Sequence, residues 1–230
     1  MDIIPPVEDI SERLLFIYDR LLQCYGAQHW WPADGDFEIV VGAILTQMTT
    51  WSNVEKAIDN LKSHNLLSPA ALYQIPTSEI AEEIYSTGFY KSKARKIKAF
   101  VTWLHDYYND SLDGLFTLPV LSLREILLSV YGIGEETADS IILYAARKPV
   151  FVIDAYTRRI MQRIGINPGG DSYHSFQALF MGNLPVNEKT YNEYHALFVR
   201  HGKERCRARP DCAGCCLSAI CSHRNSIVSG

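Results

Sequence analysis

What this chain has little of removes several classes of protein at once. Nowhere does an uncharged apolar run reach the length needed to cross a bilayer, and the opening stretch MDIIPPVEDI lacks both the basic residues and the apolar core of an export signal. The expectation is a cytoplasmic protein with no membrane partner. Positive charge is in short supply as well: 22 Lys and Arg stand against 26 Asp and Glu, a formal net charge of −4. That balance excludes a protein coated in nucleic acid, and any such partner has to be met by a local basic surface. Strand signals are scarce, because no alternating run has a second one to pair with. Repeats, low-complexity tracts and long linkers are missing.

Cysteine is confined in the same way. Of six cysteines, Cys24 stands alone and the other five fall between Cys206 and Cys221. Such crowding without an export signal favours metal over disulfides. Cys206, Cys212, Cys215 and Cys221 are separated by five, two and five residues. Four thiolates on so short a loop suit either tetrahedral zinc or a [4Fe-4S] cluster, with Cys216 left over. Lys203, Arg205, Arg207, Arg209 and Arg224 surround them, a basic surface that such a centre would hold in shape against phosphate.

What is present is helical spacing. With 47% hydrophobic and 21% charged residues in 230, the chain can bury one good core or two modest lobes. Leu14, Leu15, Tyr18, Leu21, Leu22 and Tyr25 recur at three and four, entered through Pro5 and Pro6. Phe37 to Leu45, with Asp36 as its cap, is apolar enough for a buried helix. Thr77 opens another helix and Gly88 closes it. The segment from Lys91 to Tyr108 carries a charge run that reads as a solvated face. SLRE at 122 to 125 has the capping-box pattern of a helix ending at Gly132, and residues 136 to 147 form the next. VFVID closes at Asp154, an N-cap for a helix through Ile164. Two further helices fit 172 to 182 and 187 to 201. The fold class is all-α.

Helix, Gly132-Ile133-Gly134, helix is the shape of a helix–hairpin–helix element. Gly132 takes the left-handed cap, and Gly134 lets the backbone approach a ligand closely, with the N–H groups of the next helix aimed outward. Such a turn holds phosphate and does not read bases. Glu135 and Glu136 in its first turn oppose the helix dipole.

The stretch LLSVYGIGEETADSIILYAARKPVFVIDAYTRRI resembles the endonuclease III superfamily of DNA glycosylases, over roughly residues 30 to 225. The resemblance implies a catalytic aspartate at Asp154, and duplex DNA with a damaged base as partner. Bifunctional members carry a nucleophilic lysine two residues after the second glycine. Here that position is Glu136, and a carboxylate forms no imine, so the lyase route loses its nucleophile. The superfamily's iron–sulfur loop is one residue longer in its first gap, and the resemblance favours [4Fe-4S] over zinc. HWWPADGDFEIVVGAILTQMTTW looks like the 3-methyladenine glycosylase branch, which implies a base pocket of Trp31, Pro32, Trp51, Glu136 and Lys203. Electron-rich indoles prefer a cationic alkylated purine. Gln47 would fill the gap left by the extruded nucleotide, and Phe89 would wedge the opposite strand. Gly132, Ile133, Gly134 and Thr137 complete the expected DNA contacts, and Met48 departs from the polar residue common in the branch.

These readings combine into a two-lobed glycosylase, expected as a monomer. One lobe is 29–148, ending in the hairpin. The other joins 1–28 to 149–230 and carries the cysteine loop 206–221, with the lesion entering between them. A uracil or thymine-mismatch glycosylase and a non-catalytic DNA-binding module are the alternatives.

Overall fold

The computed structural model describes residues 9–224, which leaves Pro5 and Pro6 outside. Among the described residues all regular structure is helical: α1 (Ile10–Tyr25), α2 (Asp36–Leu45), α3 (Trp51–Ser63), α4 (Pro69–Gln74), α5 (Thr77–Glu83), α6 (Tyr90–Tyr108), α7 (Asp113–Phe116), α8 (Val120–Ser129), α9 (Glu135–Ser140), α10 (Ala155–Ile164), α11 (Tyr173–Asn183) and α12 (Glu188–Glu204). A π-helical turn, Ile141–Ala145, continues α9. None of these helices is long and apolar enough to cross a membrane.

The described residues divide into two compact units, one running to Trp30 and resuming at Pro149, the other comprising Trp31–Lys148. In the first, Asp9 caps α1 by accepting from the Ser11 N–H at 2.8 Å, and Leu14, Ile17 and Leu21 form its buried stripe. Each such burial is worth about 1.5–3 kcal/mol. Tyr194 on α12 donates to the Leu14 carbonyl at 2.8 Å, tying α1 to α12. The run 150–154 is extended and buried, with no strand beside it among the described residues. Side chains take the place of a sheet. Gln177 donates to the Phe151 carbonyl at 2.8 Å and the Ile153 N–H donates to the Tyr173 hydroxyl at 3.3 Å. Phe151 stacks on Phe180 at 4.1 Å and meets Tyr191 and Tyr194 edge-on, so the segment ending at Asp154 is anchored in an aromatic core.

In the second unit α2 is buried from Ile39 to Leu45. Asp36 is its first residue and not its cap: Gly35 holds the cap position, and the Asp36 carboxylate accepts from Arg147 at 2.7 Å. SLRE is no capping box either. Pro119 starts α8 at Val120, two residues before Ser122, and the helix ends at Ser129, short of Gly132. That shift leaves Arg124 available to clamp Asp139 on α9, at 2.7 and 3.2 Å, with Asp139 fully buried.

The charge run on α6 is solvated only at Lys91 and Arg95. Lys93 is 2% exposed and donates to the Thr87 carbonyl at 2.7 Å. Burial, with the Lys96 charge adding, lowers its pKa to about 8. Lys98 caps α4, donating to the carbonyls of Tyr73 and, at 2.8 Å, Ile75.

Candidate functional site

The hairpin begins where α8 gives way to extended backbone at Val130. Gly132 follows at φ +86°, and a Cβ there would stand 2.2 Å from Lys96 Cγ, so backbone and packing both demand glycine. Gly134 is different. Its φ is −94°, and a Cβ there meets nothing within 4 Å, so the protein alone does not require glycine. Ile133 is 5% exposed and plugs the turn into the core. Glu135 and Glu136 are exposed in the first turn of α9, and Glu135 lies 3.4 Å from Arg124.

Gln47 is held against this hairpin. Its Nε2 donates to Thr137 Oγ1 at 2.9 Å and to the Gly132 carbonyl at 3.4 Å, while Lys96 Nζ donates to its Oε1. Thr137 is buried, so its hydroxyl serves to orient Gln47. Beside Gln47 stands Met48, 85% exposed at φ +52°. Phe89 is 67% exposed at φ +47°, and the Lys93 bond to Thr87 braces the turn that presents it. A left-handed backbone at a non-glycine residue is strained, and here it pushes two apolar side chains outward.

Trp31 and Trp51 meet directly, with centroids 5.2 Å apart and planes at 83°. One indole presents its edge to the other's face, so a base enters between them only if a ring swings. Trp51 Nε1 donates to Glu55 at 2.8 Å. Pro32 is exposed beside Trp31. The Trp31 ring also lies against Tyr144 at 5.3 Å, and a Cβ on Gly42 would come within 3.0 Å of it. Tyr144 and Gly42 had no local signal. Tyr144 sits in the π-helical turn, and Gly42 is one small residue in an apolar run.

In the other unit Asp154 is 8% exposed and caps α10, its Oδ1 accepting from the Thr157 N–H at 2.7 Å. Its Oδ2 lies 3.7 Å from His195 Nε2 on α12, an ion-pair distance too long for a hydrogen bond. Burial pushes its pKa upward most strongly. His195 and the Thr157 amide together outweigh burial and hold the carboxyl below its ordinary value. The result is a fixed, ionised carboxylate. His195 was not legible from spacing, because its relation to Asp154 spans two helices.

The cysteine loop is gripped by α10. Arg159 donates to the Cys206 carbonyl at 2.7 Å and to Gly202 at 3.1 Å. Arg163 donates to Cys206 Sγ at 3.3 Å and to the Arg207 and Ala208 carbonyls at 2.6 and 3.0 Å. Cys221 Sγ contacts the Arg163 carbonyl at 3.4 Å. Cys206, Cys212, Cys215 and Cys221 line one cavity. Among the described residues no three Cys, His, Asp or Glu side chains converge closely enough to hold a single metal ion. His201 is buried behind Cys215. Burial, then the Arg205 charge, holds its pKa at about 4, so it is neutral. Tyr25 hydroxyl meets its Nδ1 at 2.8 Å, and Nε2 lies 3.7 Å from Cys215 Sγ. Burial raises the Tyr25 pKa, so the phenol donates and the imidazole N–H points at sulfur. Of the basic residues, Arg205 is committed to Asp211 at 2.6 Å, whereas Lys203, Arg207 and Arg209 are exposed.

The family model for "HhH-GPD superfamily base excision DNA repair protein" matches residues 41–185. A Methanocaldococcus jannaschii protein, named provisionally as a DNA repair glycosylase, is 41% identical over 215 residues, 93% of this chain and 98% of that one. Among solved structures, a non-covalent endonuclease III–DNA complex superimposes with a TM-score of 0.82 at 22% identity, covering 96% of this chain and 99% of that one. The H. pylori 3-methyladenine DNA glycosylase MagIII, bound to 1,N6-ethenoadenine, superimposes with a TM-score of 0.73 at 26% identity, covering 85% and 98%.

Proposed function

The chain belongs to the HhH-GPD superfamily of base excision DNA repair proteins as a DNA repair glycosylase, and from that premise we propose that it hydrolyses the N-glycosidic bond of an alkylated purine such as 3-methyladenine, leaving the strand intact. The observation that carries this reading is Glu136. It occupies the hairpin-helix position at which the bifunctional pattern needs an amine, and a carboxylate cannot attack the sugar to form an imine.

Asp154 supplies the chemistry. Departure of the base builds positive charge on the sugar, and an ionised, immobile carboxylate stabilises that charge or orients the attacking water without reorganising. Its Oδ1 is occupied by the Thr157 amide, so Oδ2, on the His195 side, is the oxygen left for this task. A purine methylated at N3 or N7 is already cationic and leaves with little acid assistance. Indole faces favour such a cation by about 0.5–2 kcal/mol per contact. Trp31 and Trp51 support that choice, with one ring rotating out of the edge-to-face pair to admit the base. Likeness to the alkylpurine-type glycosylase MagIII supports it further.

The cysteine loop fits a [4Fe-4S] cluster better than zinc. Zinc needs four sulfurs about 2.3 Å from one point, whereas a cluster spreads its ligands around a cage. Four cysteines around one cavity support the cage. Cys206, Cys212, Cys215 and Cys221 would hold it, and when bound it would supply structural rigidity. Arg163 and His201 direct N–H groups at two of these sulfurs.

The test is a panel of duplexes, each with one lesion, assayed for base release and for covalent trapping by borohydride. Release of 3-methyladenine with no trapped adduct is expected. A trapped adduct overturns the monofunctional reading. Release from uracil or thymine mismatches alone selects the first alternative, and no release at all, from the wild type as from Asp154→Asn, selects the non-catalytic module.

A further inference from the structure

Gln47, the residue expected to fill the gap left by an extruded nucleotide, is fully engaged inside the protein. Both of its amide donors are used, to Thr137 Oγ1 at 2.9 Å and to the Gly132 carbonyl at 3.4 Å, and its Oε1 accepts from Lys96 Nζ. Its neighbour is the opposite case. Met48 is 85% exposed, the most exposed large hydrophobic side chain among the described residues. The turn from α2 to α3 holds it there. The Thr49 N–H donates to the Thr46 carbonyl at 3.4 Å, Thr46 Oγ1 donates to the Ala43 carbonyl at 3.0 Å, and Asn53 Nδ2 donates to Thr49 Oγ1 at 3.4 Å. A methionine at φ +52° persists in that strained state because its surroundings over-determine it. Phe89 is presented in the same way at φ +47°, and α6 serves both turns. Lys93 braces the Phe89 turn through the Thr87 carbonyl, and Lys96, about one helical turn further on, clamps Gln47.

We propose that Met48, and not Gln47, enters the base stack at the gap left by the extruded nucleotide, a role that rests on the chain's being a glycosylase that extrudes its base. A thioether on an unbranched stem fits an irregular gap. Apolar side chains of this kind wedge between base steps, whereas the amide of Gln47 would have to surrender its own partners to do so. Gln47 stays on the hairpin as a positioning residue. It ties the root of the wedge to the Gly132 turn, so that the backbone meeting phosphate and the side chain meeting bases move together.

The experiment uses the full chain with its four methionines isotope-labelled at the methyl group for NMR, and a duplex carrying one tetrahydrofuran abasic analogue, which needs no catalysis. The Met48 signal, identified by its absence from Met48→Ala, should move upfield under the ring currents of the flanking bases when this duplex binds. With undamaged duplex it should stay in place. Met48→Ala should bind the abasic duplex about tenfold more weakly or worse. It should bind undamaged duplex like wild type and melt at the same temperature, because it keeps the backbone and deletes only exposed atoms. Met48→Leu, still apolar, should restore most of the affinity. A Met48 methyl that does not shift while the abasic duplex is bound, or an alanine variant that binds it as tightly as wild type, overturns the assignment and leaves base extrusion standing. Wild type that binds both duplexes equally overturns both.

Discussion

Replacing Asp154 with asparagine separates its two duties. Oδ1 caps α10 through the Thr157 N–H at 2.7 Å, and an asparagine oxygen does the same. Charge is the part that asparagine lacks. Asp154→Asn should therefore keep the cap and lose only the stabilisation that comes with ionisation, while Asp154→Ala loses the cap as well, at a further cost of about 1 kcal/mol. In a chain of this size that lowers the melting temperature by roughly 2–4 °C. Activity should sort the variants differently. On the proposed mechanism both lose the carboxylate that stabilises the developing sugar cation, and removing one such preorganised group costs about 100- to 1000-fold in rate. Release of 3-methyladenine from alkylated duplex DNA, paired with thermal melts, measures both quantities. An asparagine variant active within about threefold of wild type would refute the reasoning, because cap geometry alone would then explain why this residue is an acid.

Other perturbations follow from the same geometry. Arg124→Met leaves the fully buried Asp139 without its bidentate partner and should cost about 3–5 kcal/mol in urea unfolding. Gly132→Ala forces a left-handed alanine against Lys96 and should destabilise by more than 1 kcal/mol. Gly134→Ala meets no protein atom, so it should melt like wild type while weakening duplex binding in a titration at fixed salt. The Asp154 carboxyl is held below its unfolded pKa, so its stabilisation is complete above about pH 4 and fades as pH falls through the folded value. The difference in melting temperature between wild type and Asp154→Asn should accordingly shrink on acidification below pH 4, and a difference that grows there contradicts the sign.

The helices legible in the sequence are those whose ends are set locally. Asp154 with Thr157 caps α10 within four residues, and Gly165 at φ +83° stops it. The misread boundary at α8 has a local cause too: Pro119 outranks a capping-box pattern three residues later. What stayed hidden depends on partners far along the chain. The burial of Lys93 needs the Thr87 carbonyl, Gln47 is placed by Thr137 and Lys96, and Asp154 is kept ionised with help from His195. A spacing pattern reports which face of a helix is wet. It does not report which distant side chain arrives there.

One feature of α10 links two sites that look separate in the sequence. Its ten residues make a strut about 15 Å long, with the acid at its first turn and the cysteine loop pinned to its last by Arg163 and Cys221. A short helix transmits displacement as a rigid rod. If the loop holds the proposed cluster, its loss would slacken the far support and let the carboxylate drift, and misalignment of about 1 Å in a reacting group costs on the order of 100-fold in rate. On the proposed mechanism the cysteine loop is thereby a mechanical footing for Asp154.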